Sequence, residues 1–228
     1  NNAFLSLSNF IPEIFLFSMA MVVLLIGISN ALKKYVVSLT IGSTLIALIL
    51  CFWGYTEETV FMFNTSLIKD NTTEFFKILC YVIFLIQIIV SQKYLKNKNL
   101  ISGEFYSLLI FALIGCLIII SSNNLITLFL GIELSSLSLY SLIALNRKSL
   151  ISGEAAIKYF VLSIIASAII LFGFSYLYGI TNSLVINEIS TYLLSNEISN
   201  LYLFSYILIF IGVAFKFAVA PFHLWLPD

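Results

Sequence analysis

The feature that most constrains this chain is a series of uninterrupted apolar runs, each close to the length that crosses a bilayer. A helical crossing takes about 20 apolar residues. Seven runs can be drawn, over residues 11–30, 35–53, 75–92, 105–121, 123–145, 154–179 and 201–221. Hydrocarbon offers backbone N–H and C=O groups no partner, so a spanning segment is either a helix or a strand of a closed barrel. Barrel strands alternate and are about 10 residues long. These runs are continuous and roughly twice that length, so the expected fold is all-α. It is a polytopic transmembrane helix bundle of about seven spans, one domain over 1–228. Composition agrees, with 61% hydrophobic and 10% charged residues. Soluble domains hold roughly half and about a quarter of these classes.

Basic residues in the connections give an orientation, because Lys and Arg gather on the inner side. Lys33, Lys34, Lys93, Lys96, Lys98, Arg147 and Lys148 all fall after odd-numbered spans. The even-numbered loops hold Lys69 and Lys77, beside Glu57, Glu58, Asp70, Glu74, Glu188 and Glu197. The N-terminus is thus expected outside. Lys158 and Lys216 remain, and both lie within spans.

Several functions are excluded for this chain alone. Formal net charge is zero, so no basic face suggests nucleic acid. Cys51, Cys80 and Cys116 are far apart in apolar segments and read as small buried hydrophobes. No glycine-rich phosphate loop is present. With one histidine and no cysteine cluster, neither a metal site nor a haem or iron–sulfur site is expected. Movement of an ion or solute remains.

An ionisable group inside a span costs about 2.5–3.5 kcal/mol at the helix centre, so each one asks for a reason. Glu133 lies about ten residues into span five, roughly 15 Å deep at about 1.5 Å per residue. Its short stem cannot reach water from there. Ser136 and Tyr140 share its helix face, which makes a polar stripe directed at the bundle interior. A structural Glu paired for packing is the competing explanation. Lys158 sits near the inner end of span six, where its stem can either snorkel to the interface or reach a functional partner. Beyond it, Ser163, Ala166 and Ser167 form a small-residue face for close helix packing. Lys216 is deep in span seven, and Pro221 follows. Proline clashes with the carbonyl four residues back, so a break is expected near 217–221. A half-helix C-terminus beside a cavity favours a Lys ammonium. The alternative is a simple end of the span with a snorkelling Lys. His223 comes just past the break, and its titration range suits a proton relay. One acid and two lysines on successive spans could pass a proton if Glu133 and Lys216 meet.

These residues stand in a recognisable order. Leu130-Gly131-Ile132-Glu133-Leu134-Ser135-Ser136-Leu137 resembles the fifth-span motif of NADH dehydrogenase subunit 2 of respiratory complex I. Gly153-Glu154-Ala155-Ala156-Ile157-Lys158-Tyr159-Phe160 is similar to the opening of its next span. Phe215-Lys216-Phe217-Ala218-Val219-Ala220-Pro221-Phe222-His223-Leu224-Trp225 resembles its broken seventh helix, and Ile11-Pro12-Glu13 resembles its start. The wider antiporter-like family, sodium/proton antiporter subunits included, shares the Glu and Lys features.

The resemblance implies a bundle of inverted repeats, of which this sequence carries the first, with a broken seventh helix. It implies that Glu133, Lys216, Lys158 and His223 line a proton-translocation pathway. It implies a subunit of NADH:ubiquinone reductase with no cofactor and no metal of its own. NADH, FMN, iron–sulfur clusters and ubiquinone then sit on partner subunits. Expected partners are other complex I membrane subunits and membrane lipids, with no nucleic acid; the remaining helices come either from a second chain or from further sequence of the same protein. Residues with AT-rich codons, and a single Arg, suggest an organelle genome and the mitochondrial inner membrane. The competing readings are a subunit of a stand-alone sodium/proton antiporter and a non-pumping membrane scaffold.

Overall fold

The computed structural model describes residues 2–29, 32–56, 58–98, 100–146, 149–195 and 199–219. Its helices are α1 (Asn2–Asn9), α2 (Ile11–Ile28), α3 (Val36–Trp53), α4 (Asn71–Asn97) and α5 (Gly103–Ser121), then α6 (Leu125–Ala144), α7 (Leu150–Thr181), α8 (Ile186–Ser195) and α9 (Asn200–Lys216). Strands β1 (Val60–Met62) and β2 (Leu67–Lys69) form an antiparallel hairpin between α3 and α4. Six of the described helices, from α2 to α7, are long and apolar enough to cross a membrane, and α9 is a shorter apolar helix. The protein is a multi-pass helical bundle.

Helix starts follow local chemistry. The first N–H groups of a helix lack intrahelical partners and need a side-chain acceptor or water. Asp70, Ser102, Asn124, Ser149 and Ser199 supply that acceptor to α4, α5, α6, α7 and α9. Hydropathy does not register such caps, so two spans differ from the runs drawn above. α4 opens at Asn71 and takes in Glu74 and Lys77, which the sequence places among loop residues. α7 opens at Leu150 and runs 32 residues. At about 1.5 Å per residue that exceeds the roughly 30 Å hydrocarbon core. α8 and the hairpin lie outside every run.

The expected break in the seventh span takes a different form. α9 stops at Lys216, and Ala218 adopts a left-handed backbone with φ of 50°. The Ala218 N–H donates to the Phe215 carbonyl at 3.0 Å, and the Val219 N–H donates to the Ala214 carbonyl at 2.9 Å. This is a Schellman stop, with alanine where glycine is usual. Pro221, His223 and Trp225 lie outside the described residues.

Close packing is organised by glycines, because small residues let transmembrane backbones approach. A Cβ on Gly27 would lie 2.2 Å from the Gly103 Cα, which brings α2 against α5. A Cβ on Gly115 would lie 2.7 Å from the Ser135 nitrogen, which seats α5 on α6. A Cβ on Gly212 would lie 2.5 Å from Ile170 Cγ1 and 2.9 Å from the Ala166 carbonyl, which seats α9 on α7. Two apolar cores result. The larger joins α2 to α5, around Leu16, Tyr81 and Ile110. The smaller joins α6 to α9, around Ile170 and Phe174.

The connections at one end are tied together by Asn123. Its backbone N–H donates to the Ser66 carbonyl at 2.9 Å and its side-chain amide to Thr65 at 3.0 Å. Its own carbonyl accepts from the Ile186 N–H at 2.9 Å. The hairpin and the α7–α8 turn therefore close over the same end of the bundle.

Candidate functional site

The site begins with the α6 stripe. A helix brings residues at i, i+3 and i+7 to one face, and α6 turns Glu133, Ser136 and Tyr140 toward α7 and α9. Lys216 stands in the last turn of α9, where the ammonium also meets the negative end of the helix dipole. Its Nζ donates to Glu133 Oε1 at 2.7 Å. It also reaches Ser163 Oγ at 3.3 Å and Ser136 Oγ at 3.5 Å. The Ser167 hydroxyl donates to Glu133 Oε1 as well. That same hydroxyl lies 2.9 Å from the Ser163 carbonyl, and it has one hydrogen to give. It can therefore release Glu133 by rotating, with no loss of a hydrogen bond.

The pair is largely but not fully enclosed, with side-chain exposures of 10% for Lys216 and 20% for Glu133. Tyr140 backs it from the α6 side. Its ring meets Tyr159 edge-on at 4.5 Å and Phe160 at 5.6 Å. Its buried hydroxyl lies beside Ser136 and Ser163 without meeting hydrogen-bond geometry. One carboxylate, one ammonium and a group of hydroxyls form a neutral cluster in which Lys216 and Ser167 each have alternative partners. That arrangement can hold a proton and change what holds it.

Lys158 is elsewhere. It pairs with Glu154 one turn back on α7, at 3.0 Å, with exposures of 46% and 68%. The structure thus brings Glu133 and Lys216 together and leaves Lys158 on the outer face of α7. His223 lies outside the described residues. Ser163 and Ser167, read from sequence as packing residues, are polar partners of the pair.

A second buried cluster has no counterpart in the sequence reading. Lys77 on α4 donates to Glu13 Oε1 on α2 at 2.7 Å and lies 3.9 Å from Glu74 Oε1. The Cys51 thiol on α3 donates to Glu74 Oε2 at 3.2 Å, so this cysteine does more than fill space. Glu13, Glu74 and Lys77 are each 2% exposed. The available signal was Lys77 lying inside the 75–92 run, although it counted there as a boundary residue. Among the described residues, no group of three or more His, Cys, Asp or Glu side chains could hold a metal.

Comparison with known proteins follows the same lines. Residues 122–228 match the family model described as NADH:quinone oxidoreductase/Mrp antiporter, transmembrane. The chain is 39% identical over 222 residues to NADH-quinone oxidoreductase subunit N of Thioalkalivibrio sulfidiphilus, covering 96% of this chain and 46% of that protein. A chain of respiratory complex I from Thermus thermophilus with bound aureothin superposes with a TM-score of 0.75 at 27% identity, over 95% of this chain and 46% of that one. A chain of the Mrp complex from Dietzia sp. DQ12-45-1b gives a TM-score of 0.75 at 18% identity, over 96% and 43%, which shows a common fold alone. The chain spans about half the length of the relatives it matches.

Proposed function

The chain belongs to the NADH:quinone oxidoreductase/Mrp antiporter family of membrane proteins, and from that premise we propose that it carries protons as an antiporter-like membrane subunit of a respiratory NADH:quinone oxidoreductase. The observation that carries the reading is the Glu133–Lys216 contact at 2.7 Å inside the bundle. Ionisable groups within spans mark ion paths and proton relays. Lys216 holds the proton as its ammonium while Glu133 is beside it. A charge change next to the pair draws Glu133 toward Ser167 or away from it. The ammonium is then unpaired in a low-dielectric interior, and release of its proton removes that cost. Return of Glu133 favours uptake of the next proton. Ser163 and Ser136, which both donate and accept, are placed to pass it on.

In this reading the chain contributes to NADH:ubiquinone reductase without a redox centre of its own. NADH, FMN, iron–sulfur clusters and ubiquinone belong to partner subunits. Lys158 is proposed as an outer residue of the pathway, and His223 as a relay beyond Lys216. The mitochondrial inner membrane is proposed from composition, although the relatives named above are bacterial. Placing the N-terminus on the intermembrane-space side rests on the basic loops. α4 takes in Lys93 and Lys96 as well as Lys77, so outside the long helices α2 to α7 the tally is Lys69 against Lys33, Lys34, Lys98, Arg147 and Lys148.

The test is the number of protons moved per NADH oxidised by the reconstituted complex. Glu133→Gln and Lys216→Met are expected to slow transfer through this chain by at least about 10²-fold, the usual contribution of a positioned proton donor or acceptor. Unchanged stoichiometry in both, with the complex intact, would overturn the reading.

A further inference from the structure

Glu13, Glu74 and Lys77 take no part in the Glu133–Lys216 pair, yet they are the more deeply buried group. Two carboxyls lie beside one ammonium. Lys77 is close to Glu13, and Glu74 receives in addition only the weak thiol donor of Cys51. Glu13 Oε2 is buried with no hydrogen-bond partner, and so is the hydroxyl of Tyr81, one turn beyond Lys77 on α4. Among the described residues, Lys77 is the cation paired with these carboxyls, and Lys69 of β2, also buried, donates to Asn9 at 3.3 Å. α1 carries no charged residue, and α5 has none from Tyr106 to Ser121, where its titratable groups are Tyr106 and Cys116.

An unpaired carboxylate away from water costs many kcal/mol, and a buried acid takes up a proton to escape that cost. When two acids share one site, like charge prevents both from ionising freely, and the proton belongs to the pair. We propose that Glu13, Glu74 and Lys77 together bind one exchangeable proton, at a site separate from Glu133–Lys216. The site is balanced when one carboxyl is ionised against Lys77 and the other is a neutral acid. It sits at the hairpin end of the bundle, within the first turns of α2 and α4.

The experiment is infrared difference spectroscopy of the whole membrane complex in ordinary and heavy water, comparing wild type with Glu13→Gln, Glu74→Gln and Glu133→Gln. Wild type is expected to show a protonated-carboxyl carbonyl band that shifts in heavy water. Either Gln substitution in the cluster leaves a single acid, ionised beside Lys77, so each should remove a band of one carboxylic acid per chain. Because both variants predict the same loss, failure of one to assemble leaves the other as the test. The same band in wild type and in the assembled cluster variants would overturn the proposal, as would no band in wild type. Glu133→Gln should keep this band while losing transport, so this proposal and the transport reading can fail independently.

Discussion

The two buried ion pairs share a 2.7 Å contact and differ in everything around it. Glu133–Lys216 is charge-balanced, partly accessible and ringed by serine hydroxyls. Glu13–Lys77 is carboxyl-rich, sealed at 2% exposure and lined by a thiol and a tyrosine. Hydroxyls can exchange donor and acceptor roles, so the first cluster has several arrangements of similar cost. The second has few, because its close donors are Lys77 and the weak thiol of Cys51. The chemistry of transfer asks for the former, and that of holding a charge asks for the latter. Replacing one member of each pair should separate these roles.

The largest effect is expected from Lys77→Met. Removing one partner of a buried pair typically costs about 3–5 kcal/mol, because the other charge is left uncompensated. Here two carboxyls lose their only ammonium, so yield and thermal midpoint of the complex in membranes should fall sharply. Lys216→Met should cost less stability, since Glu133 keeps Ser167 and some access to water, while transport falls more. The comparison sharpens in a double variant. Adding Glu13→Gln to Lys77→Met removes one stranded charge and should recover part of the stability, as expected for sites in contact. Equal losses from Lys77→Met and Lys216→Met would erase the distinction.

A difference in legibility runs parallel to this one. Glu133 stood out because it interrupts the middle of an apolar run, where hydropathy has no other explanation for it. Lys216 stood out for the same reason. Glu13 and Lys77 lie near the ends of their runs, where a charge is ordinary. What buries them is tertiary: α1 and the hairpin fold over that end of the bundle and close it, through contacts such as Lys69 to Asn9. No local pattern encodes that. The order of the long helices was readable, but their ends were not, because Asp70 and Ser149 begin α4 and α7 outside the apolar runs. The break of the seventh span is expected near 217–221 on the strength of Pro221, and the backbone turns within that window at Ala218, a residue with no turn signature. For Lys158 the sequence leaves two possibilities open, snorkelling or a functional partner; its side chain is 46% exposed and pairs with Glu154 one turn back.

A middle-sized effect is expected at the glycine contacts. Gly27→Ala puts a methyl against the Gly103 backbone, and Gly212→Ala puts one against Ile170 and the Ala166 carbonyl. Overpacking of this kind costs about 1–3 kcal/mol. Gly27→Ala should cost more stability, because backbone cannot yield as the Ile170 side chain can. Gly212→Ala should cost more transport, because Lys216 lies one turn further along the same face of α9. Moving α9 off α7 lengthens the 3.3 Å contact to Ser163 first. If Gly27→Ala slowed proton movement as much, the two halves of the bundle would be coupled, and the assignment of separate roles would need revision.

The smallest effect is expected at Lys158. An i,i+4 ion pair on an accessible helix face is worth about 0.3–0.5 kcal/mol, and Lys158–Glu154 has that geometry. Lys158→Met should therefore leave the thermal midpoint almost unchanged. Transport is the more informative readout. The Glu133 carboxylate accepts from Lys216 and Ser167, while Lys158 pairs with Glu154, so transport should fall far less than in Lys216→Met. A loss as large as that of Lys216→Met would mean that the proton leaves the α6–α9 pair across α7, between Tyr159 and the Lys158 face. In that case the accessible pair, and not the enclosed one, would set the rate.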